Sequence, residues 1–411
     1  MTLFDPLVLP NGSTIPNRIA KAAMEENMAD ADHAPSDRLM RLYQAWAEGG
    51  AGLLISGNVM VDGRAMTGPG GVVLEDDRHL DRFARWARIG RSQGAQFWLQ
   101  INHPGRQMRA SLGQPTWAPS AVPLDLGRMS RMFPTPQAMT GDVIAEVVRR
   151  FAATARLAEQ AGFSGVQVHA AHGYLLSQFL SPLTNRRTDA WGGPLENRAR
   201  LLLDIVRAVR AAVSPGFAVA VKLNSADFQR GGFSADEARR VVVMLNDLAV
   251  DLVELSGGSY EAPAMQGEAR DGRTLAREAY FVEFASEIRK VARMPVMVTG
   301  GVRRRPVAEA ALASGVDMVG VATALAIDPG LPREWNRGRD VAPALSPIAW
   351  KNKTLAGLAI MAAVKFQLEK LSRGKAPNAA VSPLKALVLQ QIAEASRTRR
   401  YRRWMARRAA A

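Results

Sequence analysis

The chain has 411 residues, 47% of them hydrophobic, with 53 Lys and Arg against 38 Asp and Glu, a formal net charge of +15 and no Cys. The lack of Cys excludes a disulfide framework, thiolate zinc sites, cysteine-ligated iron–sulfur clusters and cysteine nucleophiles. Residues 341–411 hold 14 basic and 2 acidic side chains, a net of +12, which leaves +3 for residues 1–340. The basic balance therefore belongs to the tail, and the overall charge is no argument for a nucleic-acid partner. The N-terminus "MTLFDPLVLPNG" has no basic n-region and no apolar h-region, and no apolar run approaches the roughly 18 residues of a membrane span, so the expectation is a cytoplasmic protein.

Taken in order, the chain opens with "FDPLVLPNGSTIPNRI", which predicts a hairpin around Asn11-Gly12. Strand and helix patterns then alternate. Strands are expected at 18–24, 52–58, 95–101, 165–169, 218–224, 250–256, 294–301 and 316–322. Helices are expected at 36–48, 77–93, 142–161, 195–213, 234–248, near 279–292 and at 306–314. Ser234 with Glu237 reads as a capping box. Eight such units with near-continuous apolar strands predict a closed (β/α)8 barrel, an α/β TIM barrel spanning residues 1–340. No G-x-G-x-x-G follows the first strand, which argues against a dinucleotide-binding Rossmann domain. The long segments 103–141 and 256–279 both follow strands and so lie over one face of the barrel.

The residues at the C-terminal ends of the strands are where such a barrel builds its site. They are Met24 and Glu25, Gly57, Gln100, then His169, His172 and Tyr174, then Lys222, with Gly300 and Gly301 after strand seven and Ala322 and Thr323 after strand eight. Three proton-handling rings within six positions, His169 to Tyr174, point to acid–base chemistry. The Gly-Gly pair and the small residues after strand eight would leave backbone N–H groups open to a phosphate. A metal reading of the His169/His172 pair lacks a third His or Cys nearby, so no metal is expected.

Several blocks carry a resemblance. They are "PNRI" (16–19), "QINHPGRQ" (100–107), "APSAV" (118–122), "VHAAHGYLLSQFLSP" (168–182), "NRRTDAWGGPLENRARLL" (185–202), "VKLNSADF" (221–228) and "VTGGV…GVDMVGVATALAIDP" (298–329). Over residues 3–335 the chain resembles the Old Yellow Enzyme family of FMN-dependent NAD(P)H:flavin oxidoreductases. The resemblance implies FMN across the barrel mouth, with its phosphate over strands seven and eight. Ala22, Ala23, Met24 and Glu25 would touch the ring edge through their backbone, Gly57 would leave room for the flavin, and Gln100 would bond the pyrimidine ring. Lys222 would face flavin N1 and O2, where a cation about 4 Å from a developing anion, at an effective dielectric near 20, contributes roughly 4 kcal/mol. His169 and His172 would clamp a carbonyl or nitro oxygen of the acceptor. Hydride from NADH or NADPH would pass to FMN and then from flavin N5 to an activated C=C, with a proton from Tyr174. The implied partners are small alkenes, quinones or similar acceptors; homo-oligomerisation is left open.

Two departures stand out. Glu25 occupies a place where relatives commonly carry Thr or Cys, and its charge predicts a lower flavin potential than that of a Glu25→Thr variant. Ala322-Thr323 replaces a phosphate-binding Gly-Arg, a charge-assisted contact of about 1.5–3 kcal/mol. Arg303, Arg304 or Arg305 is the candidate substitute. The extension 341–411 predicts a helix at 350–374 and a basic amphipathic helix at 382–411, with seven Arg between 397 and 408. Packing on the barrel or a neighbouring subunit ranks first for it, peripheral contact with an anionic membrane second and nucleic acid third. The rival functions are an NADH:quinone reductase, a flavin-dependent amine or betaine demethylase, and a non-catalytic barrel acting through its basic tail.

Overall fold

The computed structural model describes residues 1–262 and 284–410. Eight parallel strands form the barrel: Ile19–Lys21, Leu53–Met60, Gln96–Asn102, Gly165–Ala170, Ala218–Asn224, Leu252–Ser256, Val296–Thr299 and Met318–Val321. Each pairs with its neighbours in the chain, and the ring closes where Ile19 and Lys21 face Val319 and Val321. The predicted (β/α)8 architecture is therefore present.

Element ends differ from expectation mainly at the first two strands. The first is three residues rather than seven, with Ala22 still donating its N–H to Val321 O (2.9 Å) before the chain leaves the sheet. The second runs to Met60 because its register shifts between Ile55 and Asn58. Gly57 sits in that irregularity, within the strand and not at its end. The expected helix near 279–292 lies partly outside the described residues, with 284–291 helical; of the segment 256–279, only residues to 262 are described.

Strand residues alternate between the helix layer and the barrel interior. The lower interior is apolar: Ala20, Leu53, Ile55, Trp98, Ala218, Ala220, Leu252, Met297 and Met318 pack together. Below them the hairpin Leu7–Val8 and Thr14–Ile15, turned at Gly12 with φ +82°, plugs the barrel floor with Leu7, Leu9 and Ile15. The same inward positions turn polar toward the C-terminal ends, giving Gln100, Gln167, His169, Lys222, Asn224, Glu254, Ser256 and Thr299, all buried.

The helices cover the outside. Ser36 caps Asp37–Glu48 by accepting from Leu39 N–H (3.2 Å), and the Ser234–Glu237 capping box starts Ala235–Leu245. Lys21 points out into this layer and is fully buried. Its ammonium donates to Ile55 O (2.8 Å) and Tyr43 Oη (3.0 Å), pairs with Glu26 (3.3 Å) and lies over the Trp46 ring. Burial pulls its pKa down to about 8 despite Glu26.

Much of the "GGPLENR" block is structural. Arg198, on helix Leu195–Ala212, donates to Leu180 O and to Gly193 O (3.0 Å) and pairs with Glu237, so one guanidinium joins two helices to the loop after strand four. Breaking a buried pair by removing one partner costs about 3–5 kcal/mol. Arg198→Ala is accordingly expected to lower the unfolding free energy by about that amount, read by urea titration of tryptophan fluorescence; a loss below about 1 kcal/mol would contradict the assignment.

Candidate active site

At the top of the barrel interior four side chains from four strands form one hydrogen-bonded chain. Gln100 Nε2 donates to Gln167 Oε1, Gln167 Nε2 to Glu254 Oε2, and Lys222 Nζ to Glu254 Oε1, each at 2.7 Å. Lys222 is 3% exposed and Glu254 0%. Lys222 thus stands in the site as half of an ion pair, and the carboxylate beside it takes up much of its field. Gln167 and Glu254 went unread in the sequence. Their signal was the period-two placement Gln167/His169 and Lys222/Asn224, and Glu254/Ser256 on the next strand, inside runs that look uniformly apolar.

Beside this chain the structure brings His169, His172 and Tyr174 together. The His169 ring lies 5.1 Å from that of His172 and 4.9 Å from that of Tyr174, centroid to centroid. His169 ends the inward row of strand four, which runs one residue further than expected, to Ala170. His169 Nδ1 accepts from Ala171 N–H (3.2 Å), which places the ring proton on Nε2. His172 adopts a left-handed backbone with φ +61°, uncommon for a residue with a side chain. Its N–H is held by Asn224 Oδ1 (3.0 Å), and its Nε2 lies 2.7 Å from Ser256 Oγ. The Tyr174 hydroxyl lies 3.3 Å from that of Tyr260, on the loop after strand six.

Burial, with His172 and Lys222 adding to it, holds His169 well below the usual histidine range. His172 keeps a solvent-facing edge, yet burial of the ring and then Lys222 bring it down to about 3. Both imidazoles are neutral hydrogen-bond donors near neutral pH. Burial, then Tyr260 and Glu25, raise Tyr174 well above 10, while Tyr260 stands at about 12.

Two of the conspicuous sequence blocks prove to be one clamp. Leu175 N–H donates to His103 O (3.1 Å), and Gln178 Nε2 donates to Pro104 O (3.1 Å) and Gly173 O (2.7 Å). Gln107 Nε2 donates to His172 O (2.9 Å), and Arg106 N–H to Gln178 Oε1 (3.2 Å). A Cβ on Gly105 would fall 2.3 Å from Gln178 Oε1, so the loops close this tightly only with glycine there.

The other predicted residues are spread around the mouth. Ala22, Ala23, Met24 and Glu25 follow the first strand. Gly57 lies against Glu26 and Met24: a Cβ there would fall 2.1 Å from both Glu26 Oε2 and Met24 O, so the chain packs this closely only with glycine. Gly300 and Gly301 follow strand seven with φ of 139° and 72°, and Ala322 precedes the short helix Thr323–Ile327. Of the three candidate arginines, Arg305 is engaged by Glu309 (2.7 Å) and Trp335 O (2.9 Å), while Arg303 and Arg304 are exposed.

The tail also reaches this face. Helix Lys353–Leu371 lies against helix Asp37–Glu48, and helix Pro383–Ala410 packs on it. Lys365 pairs with Glu25 at 3.4 Å. Trp404 lies 4.4 Å from the His33 ring, and Tyr401 donates to Gly63 O (3.0 Å). Of the seven tail arginines, Arg397 pairs with Glu369, Arg407 with Asp32 and Arg408 with Glu75. Among the described residues no helix is long and apolar enough to cross a membrane.

Four depressed histidines set an acid limit on the fold. His103, at about 4 through burial, and His33, lowered by burial, join His169 and His172. The unfolded chain, with histidines near 6.5, binds more protons than the native one below that pH. The stabilisation is therefore complete above about pH 6.5 and lost as pH falls. Each neutral histidine steepens the loss by about 1.4 kcal/mol per pH unit well below 6.5. In His103→Asn the fall in urea-derived stability between about pH 5 and 6 should be shallower than in the parent; an unchanged slope would remove His103 from this account.

Comparison with known proteins agrees with this arrangement. The sequence profile of the NADH:flavin oxidoreductase / NADH oxidase family matches residues 2–341. The NADH-dependent flavin oxidoreductase iliE of Neonectria sp. (strain DH2) is 39% identical over 353 residues, covering 80% of this chain and 46% of that protein. Its namesake from Hypocrea jecorina (strain QM6a) is 37% identical over 350 residues, covering 80% of this chain and 87% of that one. The chain thus spans about half the length of the first relative and most of the second. The old yellow enzyme homologue from Zymomonas mobilis superposes with a TM-score of 0.70 at 26% identity, covering 85% of this chain and 95% of that chain.

Proposed function

Given that the chain belongs to the NADH:flavin oxidoreductase / NADH oxidase family, we propose that it uses FMN to pass hydride from NADH to a conjugated carbonyl or similar acceptor. FMN bound across the mouth would supply the hydride store that NADH fills and the acceptor empties. The residues present suit such a group. Thr299 Oγ1 is buried without a hydrogen-bond partner at the end of strand seven. It occupies space that a Cβ on Gly320 would invade at 2.0 Å, and Gly300-Gly301 follow directly. Gln100 and Lys222 would hold the pyrimidine side and Ala22, Ala23, Met24 and Glu25 an edge. Gly300, Gly301, Ala322 and Thr323 would surround the phosphate.

The observation that carries the reading is the trio of His169, His172 and Tyr174, neutral and convergent beside the Lys222–Glu254 pair. His169 offers Nε2–H to the acceptor's oxygen. Ser256 Oγ lies 2.7 Å from His172 Nε2, and in the tautomer in which Ser256 donates, that ring's Nδ1–H would be free to do the same. Two neutral donors draw electron density toward the oxygen and leave the β-carbon electron-poor, without introducing a positive charge. Hydride adds at the β-carbon and a proton at the α-carbon, so the C=C becomes CH–CH. Tyr174 retains its proton throughout the working pH range and gives it up only to a strongly basic carbon, and Tyr260 at 3.3 Å can return it.

The test is the visible spectrum of the purified protein followed by anaerobic NADH. A flavin band that bleaches is expected, and a protein that neither carries nor takes up FMN would overturn the reading. Because NADH and acceptor would use one site in turn, initial-rate plots should give parallel lines. Tyr174→Phe should slow enone turnover by about 10²-fold or more while leaving the rate of flavin reduction by NADH near that of the parent. Equal loss in both half-reactions would deny Tyr174 the role of proton donor. A quinone takes its protons on oxygen, so normal Tyr174→Phe turnover with quinones alone would favour the quinone-reductase alternative.

A further inference from the structure

We propose that Lys365, on helix Lys353–Leu371 of the C-terminal extension, is a positioning residue of the active site that acts through Glu25, so that the extension beyond the barrel takes part in setting the redox properties. The proposal rests on the flavin reading above and extends it to a segment beyond the family match, which ends at residue 341.

Glu25 leaves the first strand at the mouth with its side chain about one-quarter exposed (25%). Lys365 Nζ lies 3.4 Å from its Oε2, while Oε1 meets no donor at hydrogen-bond distance. The carboxylate is thus steadied through one oxygen, while the other lies buried, with Thr67 and Asn27 beside the group. Its charge reaches both Tyr174 and Tyr260, whose hydroxyls it helps to push up. Burial pushes the Glu25 carboxyl up, but Lys365, with Thr67 and Asn27 close by, more than offsets this, so Glu25 stays ionised.

Lys365 is held in place. One turn along the same helix Glu369 accepts from Arg38 of helix Asp37–Glu48 and from Arg397 (2.7 Å) of the last helix. Arg41 donates to Ser372 O (3.0 Å) at the helix end. Residues four apart share a face, so fixing Glu369 fixes the direction in which Lys365 projects. An unpaired carboxylate beside a group that gains negative charge on reduction would oppose that reduction. An ammonium 3.4 Å away largely cancels the opposing field.

The test measures the flavin midpoint potential of the holoenzyme for K365M, K365R, E25Q and the K365M/E25Q double variant. K365M should shift the potential down, E25Q should shift it up, and the double variant and K365R should lie close to the parent. A purely structural pair would move melting temperature and leave potential alone, so melting of the FMN-stripped forms is followed in parallel. A flavin-bound K365M with the parent's potential, or a double variant that keeps the downward shift of K365M, would overturn the proposal alone. A protein that takes up no FMN overturns the flavin reading and this extension of it together, and its colourless spectrum identifies that case before any potential is measured.

Discussion

A closed parallel barrel has to fill its own interior, and here the upper half is filled by the chain Gln100–Gln167–Glu254–Lys222. Burying two ions costs several kcal/mol each, and only close pairing with further hydrogen bonds offsets it. The geometry meets that demand, with Glu254 accepting from two directions and neither charge left alone. The two histidines beside it feel this pair as well as their burial. Lys222 helps to keep His169 and His172 uncharged, and the uncharged imidazoles can then donate hydrogen bonds without competing for the negative charge that collects in the site.

The chemistry-bearing side chains are few, and much of what makes the sequence recognisable serves to place them. Gln178 and Gln107 lock the loop after strand three against the loop after strand four, and His172 accepts its left-handed backbone within that lock. Arg198 does the same one layer further out. A site of this kind needs its donors held by a rigid second layer, since displacement of about 1 Å can cost 10²-fold in rate.

The tail helices close one side of the same face. Tyr401 and Trp404 pack with His33 and Gly63, Arg109 pairs with Glu394, and Arg408 pairs with Glu75 while stacking on Trp404. Charge that looked surplus in composition is partly matched against acids of the barrel. The aliphatic row Leu384, Val388, Leu389 and Ile392 stays exposed on the last helix.

The sequence by itself determined the eight-unit barrel, the hairpin at its floor, the Ser234–Glu237 cap and the convergence of His169, His172 and Tyr174. Those features are written in local periodicity, turn residues and the rule that strand ends share a face, all of which act over a few neighbouring residues. Only the tertiary structure decided that Lys222 is paired with Glu254, that Glu26 packs against Gly57, that Arg305 is engaged elsewhere, and that Lys365 answers Glu25 from 340 residues away. Each of these is a pairing between residues brought together by barrel closure or by helix docking. Charge partners separated in this way leave no periodic trace in the chain, because their meeting depends on the whole ring having closed.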